Sequence, residues 1–198
     1  MSGCRFQMVL ASASPRRREL LAEAGYDFVV RPPHESAECG RRAGESPMEL
    51  VARLARQKAA DVAGRSDSGL VVGCDTVVEC RGQVLGKPRD RACARQMLEA
   101  LRGREHRVYS GLCLWGVADG RCRVSVAMTR LVMTPISDPQ LEAYLNTGDW
   151  QGKAGAFGYQ DGHDWLTILE GSESNVVGLP LELLAEMLRE WKRDAKPG

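Results

Sequence analysis

The chain has almost no net charge. Across 198 residues, 27 basic and 26 acidic side chains leave +1. That balance argues against broad electrostatic binding to nucleic acid or to a membrane surface. An anionic ligand must be held by a few placed residues. No apolar stretch near the start is long enough for a signal peptide, and no run approaches a membrane span. The three histidines, His34, His106 and His163, lack metal-ligand spacing. Neither Gly-x-Ser-x-Gly nor a Cys/His pair marks a covalent nucleophile. The seven cysteines are odd in number and contain no Cys-x-x-Cys. Several fall in apolar strand-like runs, where cysteine acts as a small hydrophobe, and a reduced cytoplasm is the expected setting. Repeats and low-complexity segments are also lacking. The 43% hydrophobic content supplies a core at this length, for one domain or two closely joined lobes.

Strand and helix patterns alternate through the first half. Residues 7–11 read as a buried strand, 15–24 as a helix stopped by Gly25, and 28–31 as a second strand. A polar loop spans 32–45. Ser46, Pro47 and Glu49 form a capping box that opens a helix running to about Ala63. An apolar strand covers 70–78, with Arg81-Gly82 turning into a short partner at 83–85. A helix covers 90–101. Two long strand-like runs, 107–115 and 121–133, flank the hairpin signal Asp119-Gly120. A short helix at 138–145, a glycine-rich stretch at 148–162, a strand at 165–169 and a closing helix at 180–192 complete the chain. Residues 193–198 read as a frayed tail. The expected class is α/β with a mixed twisted sheet and flanking helices. Strand order is not readable at this level.

Five places carry chemistry. First, Ser12, Ser14, Pro15, Arg16 and Arg17 follow the first strand. Ser14 suits an N-cap and Pro15 the first helical position. The free N–H groups of that helix start and the two guanidinium groups fit a phosphate. An ordinary capped helix with a solvated basic first turn is the alternative. Second, Lys58 falls on the apolar stripe Val51, Leu54, Ala55, Val62, so it must snorkel, pair with a carboxylate or face a ligand. Arg53 and Arg56 lie off the stripe and are expected to be solvated. Third, Asp75 interrupts a buried strand, where a carboxylate needs hydrogen bonds, a cation or a metal; a structural Asp satisfying loop N–H groups remains the alternative. Fourth, Gly86-Lys87-Pro88 mimics the end of a phosphate loop but has the wrong glycine spacing and lacks the Ser/Thr that holds magnesium. In the glycine-rich stretch, Gln160 offers donors and acceptors suited to a base edge. A tight structural crossover would explain the same glycines.

Taken together, several ordered segments resemble the Maf family of nucleoside triphosphate pyrophosphatases, also known as septum formation inhibitors. They are 10–21, 53–59, 73–78 with 85–88, 152–160 and 175–181. The resemblance spans about 8–188 and implies an inosine-triphosphatase-like fold, with two lobes around a cleft in one domain whose core covers about 8–190. It implies that Ser12, Arg17, Lys58, Asp75 and Lys87 are catalytic or phosphate-binding, with Asp75 as base or metal ligand. The family glutamate after the second strand falls on Glu38 or Glu35, because 32–38 departs from the usual spacing; Glu38 is preferred, as second metal ligand beside Asp75. The implied cofactor is Mg²⁺ or Mn²⁺, the implied partners are a nucleoside triphosphate substrate and a second copy in a homodimer, with no nucleic acid and no membrane. Arg16, Thr76 and Gln160 match the branch that cleaves dTTP and UTP; the branch that cleaves 7-methyl-GTP has Gln after the aspartate. Cys74 and Tyr159 depart slightly from the common residues. A division regulator that binds a partner is the alternative from a different class.

Overall fold

The computed structural model describes residues 7–37 and 39–194. Glu38, Cys4 and 195–198 lie outside the described residues. In chain order the main elements are β1 (Met8–Ala11), α1 (Pro15–Glu23), β2 (Phe28–Val30), α2 (Pro47–Ala63), β3 (Leu70–Cys80), β4 (Gln83–Leu85), α3 (Arg91–Leu101), β5 (Glu105–Gly116), β6 (Cys122–Met133), α4 (Asp138–Thr147), β7 (Leu166–Glu170), α5 (Glu173–Val177) and α6 (Leu181–Asp194). Six strands run in the order β2-β1-β3-β5-β6-β7, and β4 pairs beside them with the far end of β3. β1 is parallel to both β2 and β3, while the remaining pairings are antiparallel. The sheet is therefore mixed, as the alternating pattern implied. The closing helix extends through Asp194, so Arg193 is helical rather than frayed.

Alternation along the central strands sends side chains to two cores. Val9, Ala11, Val71 and Cys113 face α2 through Ala55, Ala59 and Val62. Leu10, Val72, Cys74, Leu112 and Leu114 face the other way, toward Leu21 of α1 and Leu184, Met187 and Trp191 of α6. A third core lies where β4, α3, α4 and the later strands meet.

Two glycines set how closely α2 approaches the sheet. A Cβ on Gly73 would stand 2.3 Å from the Ala55 carbonyl oxygen, and one on Gly111 would stand 2.1 Å from that of Val51. Both distances are sterically forbidden, so the helix backbone rests on bare strand backbone. This contact places Lys58, one turn beyond Ala55, above Asp75, two residues beyond Gly73.

Candidate active site

At the C-terminal end of β1, a cavity of about 670 Å³ opens between the start of α1, the middle of β3 and the glycine-rich segment before β7. Ser12, Arg16, Arg17, Lys58, Asp75 and Thr76 line it. So do Glu35, Lys87 and Gln160. These candidate site residues thus face one space, although they come from segments as distant as the end of β1 and the turn after residue 158. The geometry does not by itself assign their roles.

Lys58 and Asp75 form the buried centre. Lys58 is 4% exposed, and its Nζ donates to Asp75 Oδ1 at 2.7 Å. Asp75 keeps 13% side-chain exposure, open to the cavity. The pairing resolves both sequence oddities at once. A lysine on an apolar stripe and a carboxylate inside a strand are each costly alone and acceptable together.

The start of α1 departs from expectation. Ser14 occupies the N-cap position, but its side chain makes no capping hydrogen bond. Its backbone N–H instead donates to Ser12 Oγ at 3.2 Å. Arg17 is committed to the protein. It donates to the Gly178 carbonyl from Nε, to Ser12 Oγ and the Cys74 carbonyl from one terminal nitrogen, and to Thr76 Oγ1 from the other. Four of its five N–H donors are spent in tying β1, β3 and the end of α5 together. Arg16 is less confined: it donates to the Gly152 carbonyl at 2.9 Å. Burial, then the neighbouring Arg17 charge, lower the Arg16 pKa, and the nearby Asp161 opposes them.

Lys87 is exposed on the segment leaving β4, and the preceding Gly86 carbonyl accepts from the Gly155 N–H at 3.0 Å. Glu35 opens a short 3₁₀ turn and is exposed. Arg53 is not solvated as expected. It makes a paired contact with Glu45, with the shorter arm at 2.6 Å, and also donates to the Cys39 and Gly40 carbonyls. It therefore anchors residues 39–45 to α2. Hydrogen bonding from Arg53 holds the Glu45 carboxyl down at about 2.

Sequence reasoning did not single out the support of the glycine-rich segment. Lys153 Nζ pairs with both oxygens of Asp161, at 2.5 and 2.6 Å, and the Tyr144 hydroxyl donates to the same carboxylate at 2.9 Å. Burial, and then the Asp161 carboxylate, push the Tyr144 phenol above its ordinary value. Lys153 and Asp161 stand eight residues apart in a stretch without helical or strand periodicity, so no pattern links them. The backbone of this segment is tight. Gly152 and Gly155 adopt φ of 68° and 69°, and Ala156, which carries a side chain, adopts 64°.

An α/β protein with a buried Lys–Asp pair beneath a cleft lined by further cationic and polar side chains is the class that this fold and site define. A family model described as Maf-like protein matches residues 7–191. A protein of Rhodopirellula baltica, named dTTP/UTP pyrophosphatase, is 53% identical over 190 residues, covering 96% of this chain and 84% of its own. A protein of Carboxydothermus hydrogenoformans with the same name is 41% identical over 186 residues, covering 93% and 98%. The chain belongs to the Maf-like protein family. A solved structure titled as a HAM1 protein from Coxiella burnetii overlaps 94% of this chain and 100% of its own, at a TM-score of 0.49 and 17% identity.

Proposed function

We propose that this protein hydrolyses the α–β phosphoanhydride of pyrimidine nucleoside triphosphates, dTTP and UTP, releasing the monophosphate and pyrophosphate. The observation that carries this reading is the buried Lys58–Asp75 pair facing one cavity with Arg16, Thr76, Lys87 and Gln160. The names of the relatives support the same activity. Residues 8–190 act as one domain, and a homodimer in the cytoplasm is the expected working form.

The triphosphate lies between the start of α1 and the Gly86-Lys87 segment. Lys87 and the N–H groups at the start of α1 offset its charge, and Arg16, held by the Gly152 carbonyl, faces the base. Arg17 acts at one remove, by holding Ser12 and Thr76 in place. Thr76 and Gln160 present hydrogen-bonding groups to the base. Asp75 orients the attacking water and accepts its proton, and Lys58 fixes the carboxylate in position. A new P–O bond forms at the α-phosphorus as the bond to the β-phosphate breaks. Among the described residues, the carboxylates of Asp75 and Glu35 face the cavity, together with the hydroxyls of Ser12, Ser14, Thr76 and Tyr159. These hard oxygen donors fit Mg²⁺ or Mn²⁺ completed by substrate phosphates. Asp75 would hold that ion with Glu35 or Glu38, and when bound it would offset charge on the phosphoryl oxygens.

Asp75→Asn tests the core of this reading. The variant is expected to lose about 10³-fold in kcat/KM for dTTP, of the order seen when a charge-stabilising group is removed. Leaving Lys58 with a neutral partner costs roughly 1–3 kcal/mol, or a melting shift of several degrees at about 2–4 °C per kcal/mol for a chain this size. Wild-type turnover should also stop on chelation and return with Mg²⁺ or Mn²⁺. Full activity in the folded variant would remove Asp75 from the chemistry.

A further inference from the structure

Gln160 reads the base in the function proposed above, yet it is an exposed side chain on a short turn. Among the described residues, no hydrogen bond fixes where it points. What holds the turn is the residue beside it. Asp161 sends its carboxylate inward, where Lys153 and Tyr144 satisfy both oxygens. The side chains of Lys153 and Asp161 are only 11% and 10% exposed, so the pair is shielded from competing water and salt. Backbone spacing agrees with this placement. A Cβ on Gly158 would stand 2.5 Å from each Asp161 oxygen, although the Gly158 backbone, at φ −121° and ψ 128°, would accept any residue. Gly158 is therefore bare because the carboxylate occupies that space. The same segment is tied to the phosphate side of the cavity twice, by the Gly155 N–H on Gly86 and by Arg16 on the Gly152 carbonyl.

We propose that Asp161 is a positioning residue for base recognition: its buried clamp with Lys153 and Tyr144 fixes the 152–162 segment so that Gln160 and Arg16 meet the pyrimidine together. Asp161 does not touch the substrate. It acts through Gln160 and through the Gly152 carbonyl that orients Arg16. This role rests on the pyrimidine triphosphatase reading.

The test compares wild type, Asp161→Asn, Gln160→Ala and the double variant for hydrolysis of UTP and CTP. Asp161→Asn should raise KM for UTP about tenfold, lower kcat much less, and shrink the UTP-over-CTP preference. In the Gln160→Ala background the same change should cost less of the preference than it does in wild type, because part of its effect runs through Gln160. Unchanged KM and preference in Asp161→Asn, or fully additive losses in the double variant, would overturn the role. Gly158→Ala gives a second route if Asp161→Asn does not fold. It should reproduce the KM effect in wild type and be nearly neutral beside Asp161→Ala; equal effects in both backgrounds would also overturn the clamp. Amide hydrogen exchange across 152–162 needs no substrate, and it should quicken when the clamp is broken. Inactive wild-type protein with quickened exchange would count against the pyrimidine reading and leave the clamp standing. Unchanged exchange would count against the clamp itself.

Discussion

Lys58 and Asp75 were legible because each broke a pattern: one cation on an apolar helical stripe and one carboxylate in an apolar strand. Their pairing was not legible, since it depends on how α2 lies across β3. Arg53 shows the opposite case. It sits off the stripe, where a solvated arginine is the ordinary expectation, but Glu45 and two loop carbonyls draw it in. Glu45 is eight residues away in an irregular loop, beyond any local rule. His106 was set aside for want of metal-ligand partners and proves to be a core residue, 3% exposed and edge-on to Phe157. Burial lowers its pKa below the ordinary imidazole value of about 6.5, which favours the neutral ring in the folded protein. The unfolded chain gains that proton as pH falls through about 6.5, binds more protons than the native state, and is favoured accordingly. This contribution to stability is complete above that pH and is lost progressively below it, until the folded pKa is passed. The melting temperature of wild type should therefore fall between pH 7.5 and 5.5 more steeply than that of His106→Gln. Parallel profiles would show that His106 is not part of the acid sensitivity.

At the scale of elements, the long periodic segments were readable, as were the short strands β1, β2 and β4, while α5 and the two 3₁₀ turns of the glycine-rich segment were not. α2 carries a full capping box, with Ser46 Oγ accepting from the Glu49 N–H and the Glu49 carboxylate accepting in return. β5 and β6 are long runs on either side of an Asp-Gly turn, and they appear with ends shifted by one or two residues. α5 is five residues long and escaped notice; one turn and a half is too little for periodicity to register. The glycine-rich segment read as a loop, and it contains two 3₁₀ turns whose shape is set by the Lys153–Asp161 pair rather than by local preference. The seat of α2 gives a test at this scale. Gly111→Ala forces a methyl into the Val51 carbonyl, and the helix must lift. Overpacking of this kind costs about 1–3 kcal/mol, and it should also draw Lys58 away from Asp75. Calorimetry should show a lower melting temperature, and kcat should fall in the protein that remains folded. A variant with wild-type melting and wild-type kcat would show that α2 has freedom to shift without cost.

For the molecule as a whole, the α/β class followed from alternating patterns, but the strand order did not. β1 lies between β2 and β3, and β3 is followed in the sheet by β5 rather than β4. That order arises from packing two apolar faces, under α2 on one side and under α1 and α6 on the other. It is what gathers residues from β1, β3 and the 152–162 segment around one cavity. The chain shares its family with proteins named dTTP/UTP pyrophosphatase. The most direct measurement is product analysis over a panel of dTTP, UTP, CTP, GTP and 7-methyl-GTP with Mg²⁺ or Mn²⁺. The expected result is monophosphate and pyrophosphate from dTTP and UTP, with little turnover of the purine nucleotides. Turnover confined to 7-methyl-GTP, or release of inorganic phosphate with a nucleoside diphosphate, would contradict the proposed reaction.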